Sequence, residues 1–239
     1  MSINFEELDY QKTAFGELIL RRRRFPILGD EDIYEVILND EFLMSSLFTA
    51  GEIALSDLAL ACTDGHSLDI LVGGLGLGYT AIAALKDPRV SSMIVIEALP
   101  NVISWHEGRL LPVSDQLNRD PRCEFCNGDF FDLARKNFAG LNEDDSVRSY
   151  HAVLLDIDHS PAHLLQGSNR SFYSIEGLEK LKRAIYPGGV FALWSNDAVE
   201  KNFLARFASV FPTHNEHRIE ISNPLTGTSS FNTIYLGKR

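Results

Sequence analysis

From Leu68 onward the chain alternates short apolar runs with stretches of helical spacing, and this alternation leaves few folds open. "SLDILVG" precedes "YTAIAALKD", "SSMIVIEA" precedes "PNVISWHEGRLL", and the weaker "CEFCNGD" precedes "FFDLARKNFAG". "YHAVLLDID" then leads to "SIEGLEKLKRAIY", and "GGVFALWSN" to "AVEKNFLARFASVF". Strands and helices in strict alternation predict an α/β protein, with parallel strands and crossover helices on both faces of one sheet. The tail "HRIEIS", the turn "NPLTGTSS" and "FNTIYLGK" read as a C-terminal β-hairpin that adds an antiparallel strand at the sheet's end.

The first fifty residues have another character. "AFGELILRRRR", "DIYEVILND" and "EFLMSS" are short apolar runs broken by Gly29-Asp30 and Asn39-Asp40, which reads as antiparallel strands and turns. "TAGEIALSDLALAC" switches to helical spacing, with Ile53, Leu55, Leu58 and Leu60 on one broad face. The expected division is a small N-terminal β region over residues 1–48 and an α/β domain over 49–239. No internal repeat or low-complexity linker is evident.

Composition narrows the function. The formal charge is −11, which repels phosphate backbones and disfavours a nucleic-acid partner. "RRRR", Arg21 to Arg24, is either a solvated strand end or a local anion or partner contact. Cys62, Cys123 and Cys126 are too few for a disulfide framework. "CEFC" has no second pair to complete a zinc site, and on a strand its cysteines face opposite ways; no metal is expected. No apolar stretch approaches the roughly 20 residues that span a bilayer, so no membrane partner is expected. The N-terminus has no basic region followed by an apolar one, so no secretory signal is expected and cytoplasm is the expected location.

The bend after the first parallel strand carries Gly73, then Gly74, Gly76 and Gly78 as G-x-G-x-G. Glycine permits positive φ and close backbone approach to a ligand. A dinucleotide loop would read G-x-G-x-x-G, and Tyr79 breaks that pattern. The tighter spacing suits a nucleoside with a small, non-phosphate tail.

Glu97 ends the next strand, 19 residues after Gly78, where an acid can accept from both ribose hydroxyls. Asp129 in "GDFF" can accept from an adenine amine with Phe130 over the ring, or it can cap the following helix. "LLDIDHSP" puts Asp156 at the fourth strand end, where a carboxylate can orient an amine or take its proton. Asp158 either shares that role or caps the turn. His159 is either a substrate contact or a hydrogen-bonded loop residue.

These residues resemble a known group. "LVGGLGLGYT", "IVIEALPNVI", "NGDFFDL", "LLDIDHSP" and "FYSIEGLEKLKRAIYPGGVFALWS" are similar to the polyamine aminopropyltransferases, the spermidine and spermine synthase family, over roughly Tyr34 to Ser195. The resemblance implies the Rossmann-like fold of class I S-adenosylmethionine-dependent methyltransferases, with a mostly parallel seven-stranded sheet and a small β region ahead of it. It implies S-adenosylmethionine or its decarboxylated form as donor and a small amine as acceptor. By the same resemblance Glu97 binds ribose, Asp129 binds adenine, and the glycine bend lies under the thioether. Asp156 deprotonates the amine, Glu52 lines the acceptor side, and Tyr173 falls near an aromatic position of the site. A homodimer is also implied.

Two departures stand out. The family's loop typically reads G-G-G-D-G-G, and Leu77 stands where its aspartate would hold the donor's amine. Its aspartate-serine-serine-aspartate-proline stretch has become Asp156-Ile157-Asp158-His159-Ser160-Pro161. The readings open at this point are alkyl transfer to a small amine, methyl transfer to a small molecule, and nucleoside binding without catalysis.

Overall fold

The computed structural model describes residues 4–29, 31–138, 141 and 149–239. Its N-terminal part is a four-stranded antiparallel sheet in the order β1 (Phe5–Thr13), β2 (Gly16–Arg23), β3 (Ile33–Leu38) and β4 (Glu41–Ser45). The hairpin between β3 and β4 turns through Asn39 and Asp40, both at positive φ (52° and 64°), the geometry that matches strand twist in a two-residue turn. β1 was not expected from its polar sequence "FEELDYQKT". It is an edge strand held by backbone pairing to β2, and an edge needs no apolar alternation.

The arginine run is neutralised within this sheet. Arg21 and Arg23 on one face pair with Glu35 at 2.6 and 3.6 Å. On the other face Arg22 pairs with Glu6 and Asp32, and Arg24 pairs with Asp32. Strand alternation sorts the four charges between two sets of acids, so the run is no free anion site.

Helix α1 (Ala50–Cys62) leads into the second sheet. There follow β5 (Leu68–Gly73), α2 (Tyr79–Leu85), β6 (Val90–Glu97), α3 (Pro100–Glu107), α4 (Ser114–Arg119), β7 (Cys123–Asn127) and α5 (Phe130–Arg135). Then come β8 (Tyr150–Leu155), α6 (Ile175–Arg183), β9 (Ile185–Ser195), α7 (Lys201–Val210), β10 (Thr213–Asn223) and β11 (Thr228–Lys238). The seven strands lie in the order β10-β11-β9-β8-β5-β6-β7, parallel from β9 to β7, with β11 antiparallel to β9. This is the Rossmann-like methyltransferase fold. Both strands of the final hairpin join the sheet, giving the expected seven strands with β11 antiparallel to the rest. α3 stops at Glu107 because Arg109 turns to φ +59°, and α4 is a short helix that the alternation did not reveal.

The sheet is buried on both faces, which explains its nearly continuous apolar strands. One face packs α1, α2 and α3, and the inner residues Leu18, Leu20 and Val36 of the small sheet join the same core. Trp105 Nε1 also donates to Asp9 Oδ2 at 2.7 Å, tying α3 to β1. The other face packs an aromatic cluster that includes Phe130, Phe131, Phe172, Tyr173, Phe191, Phe203 and Phe207. Cys123 packs toward the first core and Cys126 toward the second, as strand geometry requires, and burial pushes the Cys123 thiol up to about 12.

Two Asp-Pro-Arg triplets do one job at successive crossovers. Arg89 donates to Leu60 O (2.6 Å) and Thr63 O (3.0 Å) at the end of α1, while Asp87 fixes its guanidinium. Arg122 donates to Leu85 O (2.8 Å) at the end of α2 and to Val90 O (3.1 Å), held by Asp120. Each places a cation on helix carbonyls that lack an intrahelical partner. Among the described residues no helix is long and apolar enough to cross a membrane.

Candidate active site

The chain runs outward from β5 to β6 and β7, and later from β8 to β9 the other way, so the loops after β5 and β8 diverge. A cavity of about 780 Å³ opens beside them. Crevices of this kind are where open α/β sheets bind ligands.

Its floor is the bend Gly74–Gly78. Gly74, Gly76 and Gly78 have φ of +96°, +47° and +88°. A Cβ on Gly74 would lie 2.2 Å from the Asp156 carbonyl oxygen, so the two loops approach closer than any side chain allows. Glu97 grips the bend from one side. Its Oε2 accepts from Leu75 N (3.0 Å) and Gly76 N (3.4 Å), and its Oε1 accepts from Leu99 N (2.9 Å). Burial pushes this carboxyl up, and the backbone donors pull it back. His106 grips the other side, with Nε2 2.9 Å from Gly76 O and Nδ1 3.2 Å from Ser114 Oγ. A carbonyl only accepts, so Nε2 carries the proton and Nδ1 accepts from Ser114. Burial holds His106 below the usual imidazole range.

Two further carboxyls face the cavity. Asp156, at the end of β8, accepts from Thr80 Oγ1 at 2.8 Å, and burial pushes it up to about 6 against that bond. Glu52, in the first turn of α1, is pushed up to about 8, first by burial and then by the negative Asp156. Gly51 lets α1 come this close, since a Cβ there would lie 2.4 Å from Asn232 Oδ1 and 2.6 Å from Trp194 Nε1. Tyr79 stands in the same group, its phenol raised by burial. The cavity wall carries five carboxyls (Glu41, Glu52, Glu97, Asp129 and Asp156) and, among the described residues, neither lysine nor arginine.

Other expected site residues lie elsewhere. Asp158 is 2% exposed and does not reach the cavity wall. It accepts from Leu165 N (2.7 Å), Asn169 Nδ2 (3.0 Å) and Tyr173 OH (2.9 Å), so it pins the loop after β8 instead of meeting substrate. Tyr173 is buried against it and likewise does not line this cavity. β8 ends at Leu155, so strand alternation no longer governs these positions: the turn that follows leaves Asp156 at the cavity and swings Asp158 toward Tyr173 of the aromatic cluster.

Gly73 is not part of the cradle: a Cβ there would lie 2.6 Å from the Phe130 ring and 2.8 Å from Leu155. Phe130 borders the cavity but is 1% exposed within the aromatic cluster. Asp129 borders the cavity and caps α5, accepting from Phe131 N (2.8 Å) and Asp132 N (3.2 Å). His159 borders it too, and its carbonyl accepts from Asn196 N (2.7 Å). Leu77 lines the floor and is buried. Sequence reasoning missed Thr80, Tyr79, the gripping role of His106, and the C-terminal hairpin tip from Asn223 to Ser230 along the rim. A hydroxyl in the first helical turn after a glycine bend was the signal available for Thr80. Among the described residues no cluster of three or more His, Cys, Asp or Glu side chains is arranged to hold a metal.

No family model matches the chain, and no curated protein matches it. Solved structures do share its fold. A spermidine synthase in complex with the transition-state analogue AdoDATO superposes with a TM-score of 0.73 at 16% identity, over 97% of this chain and 73% of the other. The spermidine synthase from Thermotoga maritima gives 0.72 at 16% identity, over 97% and 71%. Human methyltransferase-like protein 13 in complex with SAH gives 0.53 at 22% identity, over 79% and 78%.

Proposed function

We propose that the protein transfers an alkyl group, aminopropyl or a close relative, from a sulfonium nucleoside to a small amine. The observation that carries this reading is the pairing of Glu52 and Asp156 at one cavity beside a glycine bend gripped by Glu97. Burial raises both carboxyls, and the negative Asp156 raises Glu52 further; an entering ammonium would offset both effects. The likeness to spermidine synthases spans 97% of the chain, small sheet included, against 79% for the methyltransferase, which supports the same reading.

A sulfonium makes each attached carbon electrophilic. The protein's task is to hold the amine in line with the breaking bond and keep water out. The glycine bend, Glu97 and Asp129 fit an adenosine: positive-φ glycines permit close approach, and the carboxylates accept from hydroxyls and an exocyclic amine. Asp156 first takes a proton from the bound ammonium, and the lone pair this frees attacks the carbon beside sulfur to form the new N–C bond. The C–S bond breaks with its electrons returning to sulfur, leaving a neutral thioether. Glu52 binds and orients the incoming ammonium.

The donor is read as decarboxylated. A donor carboxylate would enter a wall of five acids with, among the described residues, no lysine or arginine to meet it. A second reading, methyl transfer from S-adenosylmethionine, draws on Leu77, which leaves the bend without a carboxylate for a donor ammonium. Calorimetric titration with S-adenosylmethionine, its decarboxylated form and methylthioadenosine, followed by turnover on an amine panel, tests both. Tighter binding of the decarboxylated donor with product formation supports aminopropyl transfer, and tighter binding of S-adenosylmethionine with methylated product supports the second reading. Binding of none overturns both.

A further inference from the structure

The acid pair accounts for one end of the acceptor, and the remaining wall defines the other. The small sheet and the C-terminal hairpin enclose this part of the cavity. Phe15, Leu38 and Phe42 present accessible apolar surface to it, with Leu18, Val36 and Ile221 packed behind them. The hairpin tip adds only neutral amides and hydroxyls, from Asn223 and Thr228 to Ser230. Among the described residues the single acid these segments contribute to the wall is Glu41, whose side chain is exposed. The total volume of about 780 Å³ lies in the upper part of the range for ligand sites, roughly 300–1,000 Å³. It has room for an acceptor body beyond the nucleoside.

We infer that the acceptor is a monoamine with an apolar body, held by Glu52 and Asp156 at its nitrogen and by the small sheet along its length. This rests on the alkyl-transfer reading above and specifies its substrate class. A linear diamine has an ammonium at each end. With one end between Glu52 and Asp156, its second charge would lie against Phe15, Leu38 and Phe42 without a buried partner, which strongly disfavours binding. An aromatic or branched aliphatic body instead removes apolar surface from water on both sides.

The test is calorimetry and turnover on protein saturated with methylthioadenosine or the active donor, comparing 2-phenylethylamine with 1,4-diaminobutane. The expected result is a preference of at least about tenfold in Kd and kcat/KM for the arylalkyl monoamine. Phe42→Asp and Leu38→Asp are each expected to shift the preference toward the diamine. Phe42 is 47% exposed, so its variant has little reason to misfold. Equal or tighter binding of the diamine by the unaltered protein, with nucleoside binding intact, would overturn the inference and leave the alkyl-transfer reading standing. Failure to bind any of the sulfonium donors or methylthioadenosine would remove that reading and this inference with it.

Discussion

Thr80 Oγ1 donates to Asp156 Oδ2 across 2.8 Å, linking the first turn of α2 to the end of β8. The bond stabilises the ionised carboxyl that burial opposes, so it sets how far up Asp156 titrates. Asp156→Asn is expected to lower kcat by about 10²–10⁴ while the Kd for methylthioadenosine changes little. Thr80→Val is expected to move the acidic limb of the kcat/KM profile to higher pH, because the raised group loses the bond that lowers it. An unmoved limb in that profile would detach Asp156 from the proton transfer.

Glu52 links site and stability. Its folded value of about 8 lies above the ordinary 4.5, so the native state holds a proton that the unfolded chain releases. The stability this group contributes is full below about pH 4.5 and falls until the pH passes about 8. Glu52→Gln is therefore expected to melt at the same temperature as the parent at pH 4 and at a higher one at pH 8–9. Amine binding near pH 7 is expected to expel a proton from Glu52, read as a dependence of calorimetric heat on the ionisation enthalpy of the buffer.

Asp158 and Tyr173 should behave as anchors. Tyr173→Phe removes the 2.9 Å donor to a buried carboxyl, a loss of about 1–3 kcal/mol. At roughly 2–4 °C per kcal/mol for a chain of this size, melting should drop by several degrees. Methylthioadenosine affinity is expected to stay within about threefold of the parent, and a far larger loss would return Tyr173 to the binding site.

His106 should act on the bend alone. His106→Ala removes the donor to Gly76 O and is expected to weaken methylthioadenosine about tenfold, with His106→Gln recovering part of it. Gly78→Ala meets both a φ of +88° and contacts of 2.7–2.8 Å with Val113, His106 and Leu117, so it is expected to destabilise the protein measurably in denaturant melts.

The second sheet was legible because strand and helix periods are local signals: each apolar run between Leu68 and Leu193 reports its own element. Glu97, Asp129 and Asp156 were legible for the same reason, since strand ends in a parallel sheet share one edge. β1 escaped because an edge strand needs only backbone partners. Asp158 and Asp156 look alike in "LLDIDHSP", yet one meets the cavity and the other is sealed by Asn169 and Tyr173.

By itself the sequence determined the alternating fold, the Cβ-free bend and the acids at successive strand ends, because each depends on residues within a few positions of one another. Only the tertiary structure decided that Glu52 faces Asp156, that His106 grips Gly76, and that no lysine or arginine borders the cavity among the described residues. Those relations join residues far apart along the chain. Burial and the approach of a second charge arise only once distant elements pack, and no local pattern encodes them.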